Sequence, residues 1–310
     1  MKGTDTVNGA EAVTGIDTVT GGGAVSGSEE ACATAAGRDN APAPVPEMTY
    51  VYAVGHADPP LAEAARRLPG LGDGAVRTVT EGTLMALVSS VPADAYSADG
   101  LQRRMENLAE LEVIARTHHE VVEAAHGSAT VLPMRLATVY LDDARVRAML
   151  QERAAAFAEL LSCLANHVEV GVKVFADRRA AATPAPDAPC AGPAAGAAGA
   201  GRAYLQRRRA QRHAQRDAYR AAEAVAAAVA VRAAEVARAR VAHRPQQGEL
   251  ASGAGENIAN DAYLVPAGRV LAFHQALADL PEDVPGVRVE ITGPWAPYSF
   301  ATPSAAGIGS

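Results

Sequence analysis

Three side chains able to bind a metal or move a proton lie close together in the segment HHEVVEAAH. His119, Glu123 and His126 occupy positions i, i+4 and i+7, which places them on one face of a helix. Imidazole and carboxylate groups at that spacing could coordinate a divalent metal. The segment lacks the second histidine of an HExxH motif, and the polar ends of amphipathic helices often carry such residues. We therefore expect no metal site.

The glycine-rich stretch LPGLGDGAV has a GxGxxA pattern formed by Gly70, Gly72 and Ala75. A dinucleotide-binding fingerprint needs a strand before the pattern and a helix after it. Here a short helix precedes and a strand follows, so we predict a simple turn. The chain also has no GxSxG motif, no P-loop and no paired Cys/His motif. These patterns favour a protein that is not an enzyme and binds no cofactor or small-molecule substrate.

Basic residues are concentrated in residues 202–244, where eleven arginines face only Asp217, Glu223 and Glu235. The local charge is +8, so the remainder of the chain carries −15. A basic helix of this kind could bind nucleic acid, which is the alternative function. Tyr204 and Tyr219 are its only rings, and a solvated arm for an acidic partner, or for the protein's own acidic body, is the favoured interpretation.

Residues 293–300, GPWAPYSF, contain the only tryptophan and three of the thirteen aromatic residues. Pro294 and Pro297 form a PxxP pattern, which is typical of docking peptides. The segment, however, directly follows the strand pattern VRVEIT. We predict that Trp295, Tyr298 and Phe300 fold back over the edge of a sheet as a plug, although a partner-binding role stays open.

The composition places the chain among ordinary globular proteins of about two domains. It has 310 residues, 49% hydrophobic residues and a net charge of −7. The three cysteines, Cys32, Cys163 and Cys190, form no CxxC motif and suit a reducing cytoplasm. We expect no signal peptide, because the N-terminus lacks a basic region followed by an apolar one, and no membrane span, because no apolar run reaches about 18 residues.

Low-complexity stretches divide the chain into segments. We predict a disordered extension at 1–47, an N-terminal domain at 48–140 and a C-terminal domain at 141–301. The second domain is interrupted by a flexible insertion at 176–201, and a tail follows at 302–310. The grouping of strands and helices favours an α+β fold. Each domain is expected to be an antiparallel sheet covered by helices, the C-terminal one ferredoxin-like.

Hydrophobic periodicity predicts the individual elements. Strands are expected at 48–55, 168–175, 261–266 and 286–295, with a hairpin inside 75–91 that turns at Glu81-Gly82, and an extended stretch at 130–140. Helices are expected at 97–127, from Asp142 or Asp143 to 166, at 202–243 and at 267–281. The first long helix is predicted to bury a stripe that includes Met105 and Leu108.

Six blocks together resemble the gas vesicle protein L/F family. In chain order they are YVYAV, VLPMRLATVY, VEVGVKVF, AYLQRR, NDAYLV and EITGPWAPYSF, and they span roughly 48–301. GPWAPYSF is the most specific of them, while Arg135 and Tyr263 belong to two of the weaker blocks. The chain departs from the family pattern at Leu136-Ala137, often Phe-Gly, and at Ala296, often proline.

The resemblance implies a cytoplasmic, vesicle-associated accessory protein of gas vesicle assembly. Members of the family are two-domain α+β proteins without catalytic activity. They contact the small hydrophobic shell protein and other accessory proteins during nucleation or growth of the vesicle. The residues that the resemblance marks as a signature or partner-binding set are Trp295, Tyr298, Phe300, Pro294, Pro297, Tyr263 and Arg135.

Overall fold

The structure, a computed structural model, describes residues 46–72, 74–177, 197–245, 255–280 and 285–302. Its strands are β1 (Glu47–His56), β2 (Arg77–Glu81), β3 (Leu84–Pro92), β4 (Val131–Pro133), β5 (Val139–Tyr140), β6 (His167–Ala176), β7 (Ala239–His243), β8 (Glu256–Pro266) and β9 (Val287–Trp295). Its helices are α1 (Pro59–Ala65), α2 (Ala93–Tyr96), α3 (Ala98–Glu106), α4 (Leu108–His126), α5 (Asp143–Glu152), α6 (Ala154–Leu164), α7 (Ala197–Ala234) and α8 (Val270–Leu277). Most of the predicted extension, most of the predicted insertion and most of the predicted tail lie outside the described residues, and Glu47, the last residue of the predicted extension, is already part of β1.

The N-terminal sheet has the strand order β2-β3-β1-β4, and β5 also pairs with β1. All of these pairings are antiparallel. Strands β2 and β3 form the predicted hairpin, because Glu81 pairs with Leu84 across a tight turn. Gly82 in that turn has a φ of 56°, a left-handed conformation that glycine adopts without steric cost.

The C-terminal sheet has the strand order β7-β8-β6-β9. Its neighbouring strands are all antiparallel, and α7 follows β6 while α8 follows β8. This βαββαβ arrangement is the predicted ferredoxin-like one. Both sheets together confirm the predicted α+β fold.

Three buried clusters lie on successive faces of the two sheets. The α4 cluster packs one face of the N-terminal sheet, through Tyr50 and Tyr52, against α1, α2 and α4. The central cluster joins the other face, through Val51, to α5, α6 and one face of the C-terminal sheet. The α7 cluster covers the remaining face of that sheet with α7 and α8. Helices α5 and α6 thus pack against the N-terminal sheet. The predicted boundary between two domains at 140/141 stays a prediction.

The prediction of one continuous helix at 97–127 is wrong, because the helix is interrupted at Asn107. The Asn107 side chain accepts a hydrogen bond from the backbone N–H of Ala109 (3.1 Å) and caps α4. Asparagine favours this N-cap geometry over a helix interior. The interruption leaves Met105 44% exposed and Leu108 81% exposed, so the predicted buried stripe fails at both positions.

The second predicted helix is also divided, into α5 and α6, at Arg153. Its predicted apolar stripe is nevertheless buried in the central cluster, where it comprises Val146, Leu150, Phe157, Leu160, Leu161 and Leu164. The prediction that the arginine-rich helix runs to 243 is wrong, because α7 ends at Ala234 and β7 follows. Ala239 and Val241 of β7 pack against the central cluster, and pairing with β8 outweighs the local preference for helix.

Candidate functional site

A bulge at Gly293 turns the chain out of β9 and begins the segment 293–300. Thr292 pairs with Gly171 of β6, but Glu169, two residues away on β6, pairs with Trp295, three residues further along β9. Gly293 has a φ of 107°, and a Cβ there would lie 2.8 Å from the carbonyl oxygen of Glu169. The bulge therefore requires glycine, and it redirects the residues that follow.

Two glutamates hold the redirected segment by its backbone. The N–H of Ala296 donates to Oε1 of Glu123 on α4 (2.8 Å). The N–H of Ser299 donates to Oε2 of Glu169 (2.7 Å), and its hydroxyl donates to Oε1 of the same side chain (2.8 Å). Nε2 of His243 on β7 lies 2.9 Å from the Ser299 hydroxyl. The segment thus ties α4 to two strands of the C-terminal sheet.

Burial differs sharply between residues of this segment. Ala296 is fully buried and Phe300 is 3% exposed, in the α4 cluster and the central cluster respectively. Tyr298 packs against the α4 cluster and is partly buried. Trp295 alone among the three aromatic residues is substantially exposed, at 41%. The buried residues hold the segment in place while the indole stays accessible.

The rings of α4 beneath this segment form a polar and aromatic cluster. The centroid of the His119 ring lies 5.4 Å from the ring centroid of Trp295 and 6.3 Å from that of Tyr298. The Tyr298 hydroxyl is buried and finds no hydrogen-bond partner among the described residues. Burial raises the pKa of this hydroxyl, so it stays protonated. An unpaired buried hydroxyl contributes no stability of its own.

His118 is held neutral in the interior beside these rings. Its Nε2–H donates to the carbonyl oxygen of Met134 (3.1 Å), so Nδ1 accepts from the hydroxyl of Tyr50 (2.9 Å). The Tyr50 oxygen in turn accepts from the N–H of Ala137 (3.0 Å). Burial lowers the pKa of His118 to about 4. The imidazole is therefore a structural link between α4, β1 and the turn before β5.

Burial and neighbouring groups set the pKa of the Glu169 carboxyl. Burial raises the pKa of the Glu169 carboxyl, against the hydrogen bonds from Ser299 that lower it. Glu123 adds to the increase in the pKa of Glu169, since two carboxylates near one another resist ionisation. Nδ1 of His119 lies 3.9 Å from Oε1 of Glu123. Within the described ranges no group of three or more His, Cys, Asp or Glu side chains is placed to hold a metal ion.

Comparison with known proteins places this arrangement in a family. The family model of gas vesicle synthesis protein GvpL/GvpF matches residues 48–302. The chain belongs to the GvpL/GvpF family. It is 39% identical over 256 residues to gas vesicle protein L of Streptomyces sp. (strain CB03234), covering 82% of this chain and 92% of the relative. It is 33% identical over 134 residues to gas vesicle protein F of the same strain, covering 43% of this chain and 50% of the relative.

Two crystal structures of GvpF proteins share the fold. The protein from Anabaena sp. PCC7120 has a TM-score of 0.56 at 22% identity, covering 83% of this chain and 96% of that one. The protein from Microcystis aeruginosa also has a TM-score of 0.56, at 17% identity, covering 82% of this chain and 99% of that one. The α+β architecture is therefore that of GvpF structures. No helix in the described part of the chain is long and apolar enough to cross a membrane.

The GvpL/GvpF signature residues do not all lie together. Pro294, Trp295, Pro297, Tyr298 and Phe300 share the segment after β9. Tyr263 lies instead in the α7 cluster, with its ring 5.4 Å from that of Phe273. Arg135 is exposed in the turn between β4 and β5, where its carbonyl oxygen accepts from the Thr138 hydroxyl (2.6 Å). Among the described residues, no hydrogen bond, ion pair or ring contact joins Tyr263 or Arg135 to the segment.

The sequence did not reveal which residues hold the segment 293–300, which is called the signature segment below. Glu123 stood out only as a possible metal ligand, and Glu169 only as an outward residue of an alternating strand. Ser299 and His243 carried no signal at all. One hint exists in hindsight: Glu169 and Lys173 flank Gly171 on the same strand face, and a glycine inside a strand often marks a close approach of another segment. A Cβ at Gly171 would lie 2.6 Å from Oγ1 of Thr292.

Proposed function

We propose that this chain is a non-enzymatic accessory protein that binds the small hydrophobic shell protein of the gas vesicle and other accessory proteins during nucleation or growth of the vesicle. It acts in the cytoplasm and stays associated with the vesicle. Membership of the GvpL/GvpF family supports the assignment to gas vesicle formation. The shell subunit exposes apolar surface before it assembles, and a partner that covers this surface keeps it soluble or seeds its polymerisation.

The accessible indole of Trp295 is the observation that supports one particular surface as the contact for the shell protein. It is 41% exposed, while the buried residues around it fix the backbone of the segment. A large, pre-positioned aromatic side chain loses little conformational freedom on binding, which is why tryptophan is enriched among residues that dominate binding energy. We assign Trp295 to shell-protein contact, and Tyr298 and Phe300 to holding the segment.

Substitutions within the segment test this assignment. Trp295→Ala removes the contact of the indole with the His119 ring, so it is expected to lower the unfolding midpoint moderately while keeping the fold, and to weaken binding to a soluble fusion of the shell protein about tenfold or more. Leu271→Ala, at a residue that is 71% exposed on α8, is the matched control and should bind normally. Phe300→Leu should lower stability by about 1 kcal/mol with little direct effect on binding. Thermal and urea unfolding measure the stability of each variant, and biolayer interferometry on the folded variants measures binding.

Two results would contradict the proposal at different levels. If Trp295→Ala and wild type bind the shell fusion equally, Trp295 is not the contact, although the assembly role survives. If wild type binds neither the shell fusion nor any other accessory gas vesicle protein, the proposed function itself fails.

A further inference from the structure

Helix α7 extends well beyond the sheet that it covers. Its buried side chains begin at Ala218 and continue through Ala222, Val225, Val229 and Ala233. Among its described side chains before Ala218, none is buried. The Tyr219 hydroxyl donates to Glu256 at the start of β8, close to the point where the helix leaves the sheet. Residues 202–217 therefore form a projecting helical arm.

The arginines between 202 and 220 whose side chains the structure describes lie on one side of the helix. At about 100° per residue, the six described arginines fall within a sector of about 120°. They are Arg202, Arg208, Arg209, Arg212, Arg216 and Arg220, and all six are exposed. Four of them, Arg208, Arg212, Arg216 and Arg220, recur at every fourth residue, so these arginines follow one another at an axial spacing of about 6 Å over about 18 Å of helix. We name this row of six the arginine stripe.

The arginine stripe lowers the stability of the isolated helix. Like charges at i and i+4 each destabilise a helix by about 0.2–0.5 kcal/mol. Residues 202–216 contain no acidic residue, and Asp217 lies 3.9 Å from Arg220 without facing the rest of the row. Such a cost is offset when carboxylates arrive at the same spacing, because each guanidinium can hold one in a bidentate pair.

We propose that the arginine stripe binds an acidic helical segment of a protein partner, whose carboxylates recur every three or four residues. A helix with glutamates at i and i+4 repeats its charges at about 6 Å, which matches the stripe. Nucleic acid fits less well than a short acidic segment, because a long polyanion also passes the rest of the chain, which carries −15 and repels it, whereas a short segment ends within the stripe. The inference rests on the proposed function, since it names one kind of partner for an assembly protein.

A synthetic peptide tests the stripe directly. The probe is a 21-residue helical peptide, about six turns long, with glutamate at every fourth residue. Its control has the same composition, scrambled so that the glutamates no longer share one face. Titration of the full-length protein should show binding of the first peptide that is about tenfold tighter than that of the second, which corresponds to about 1.4 kcal/mol. Binding should weaken as salt is raised.

Arginine-to-glutamine variants test whether binding depends on the arginine stripe or on positive charge anywhere on the protein. Arg208→Gln, Arg212→Gln and Arg216→Gln together should lose about tenfold in affinity while circular dichroism stays unchanged, since glutamine is a good helix former and these sites are exposed. The matched control changes the exposed Arg66, Arg103 and Arg145 to glutamine, and should bind as wild type does.

Three results would overturn the inference. They are equal binding of the ordered and scrambled peptides, an unchanged affinity in the stripe variant, or tighter binding of a random DNA duplex than of the ordered peptide. The last result would favour a nucleic-acid partner instead. The peptide assay contains no shell protein, so its failure leaves the proposed function intact, and a failure of the peptide assay can be distinguished from a failure of shell binding.

Discussion

Removing the charge of Glu169 while keeping its shape tests how the signature segment is held. In the native protein the carboxylate accepts from both the N–H and the hydroxyl of Ser299. In Glu169→Gln the amide oxygen can accept from the N–H, and the amide NH₂ can donate to the hydroxyl oxygen. The Ser299 hydroxyl then donates to Nε2 of His243, which needs only the other tautomer of an exposed imidazole. Both contacts survive.

The expected magnitudes follow from which contacts are lost. Glu169→Ala leaves the N–H and the hydroxyl of Ser299 without their acceptor, and each partly buried unsatisfied group costs about 1–3 kcal/mol. We expect a total loss of about 2 kcal/mol, because Ser299 keeps some access to water. Glu169→Gln should be at least as stable as wild type at pH 7, since it avoids the desolvation of a buried charge.

The dependence on pH gives the sharper signature. Burial raises the pKa of Glu169 in the folded state, so this side chain supports folding best below its unfolded pKa of about 4.3. Its contribution is lost as pH rises through the folded-state pKa. The advantage of Glu169→Gln over wild type should therefore grow from pH 4 to pH 7. Urea unfolding of wild type, Glu169→Gln and Glu169→Ala across this range measures it. A glutamine variant as unstable as the alanine variant at pH 7 would refute the reasoning.

Three further predictions concern residues around the same site. Ala137 has a φ of 63°, so Ala137→Gly should raise the free energy of unfolding by about 0.5–1 kcal/mol, and a lower thermal midpoint would contradict this. His118, with a pKa of about 4, should stabilise the fold above pH 6.5, and about 3 kcal/mol should be lost as pH falls from 6.5 to 4. Its NMR ring signals should stay constant from pH 8 to pH 5.5, and titration near pH 6.5 would show that it is not buried as described. Tyr298→Phe should be neutral or stabilising by up to about 1 kcal/mol, because the hydroxyl has no partner among the described residues, and a clear loss in urea unfolding would reveal one.

Elements with a strong local pattern could be predicted from the sequence. The alternation of Val170, Val172 and Val174 identified β6, and the hairpin turn at Gly82 follows from a residue that suits a positive φ. Both signals are contained in a few neighbouring residues. The ferredoxin-like order of the C-terminal strands could be proposed because the βαββαβ sequence of elements has few compact solutions.

Features that depend on distant partners could not be predicted in this way. Strand β7 looked like the end of an alanine- and arginine-rich helix, and only its pairing with β8 and its contact with the central cluster make it a strand. The break at Asn107 was missed for a different reason. An asparagine between two apolar stretches is compatible with one helix or with a cap, and tertiary packing decides between them.

The two glutamates that hold the segment were even harder to predict from the sequence, because their partners are distant in the chain. Glu123 is 173 residues from Ala296, and Glu169 is 130 residues from Ser299. Nothing in the local pattern distinguishes a glutamate that accepts a distant N–H from one that faces water. Aromatic residues were a better guide, because they are scarce in this chain and two of the three rings near the strand end, Tyr298 and Phe300, pack against the buried clusters.

The three aromatic residues of GPWAPYSF are not equivalent, and their differences explain why so short a segment needs all of them. Phe300 lies in the central cluster, and Tyr298 packs against the α4 cluster on the other side of the N-terminal sheet. Because the two rings pack on opposite sides of the N-terminal sheet, the segment cannot move away from the protein without exposing one of them. Such a movement would also break the hydrogen bonds to Glu123 and Glu169. Trp295 precedes both anchors and remains accessible. Because its backbone is already fixed, a partner that covers the indole gains its contact area without ordering the chain.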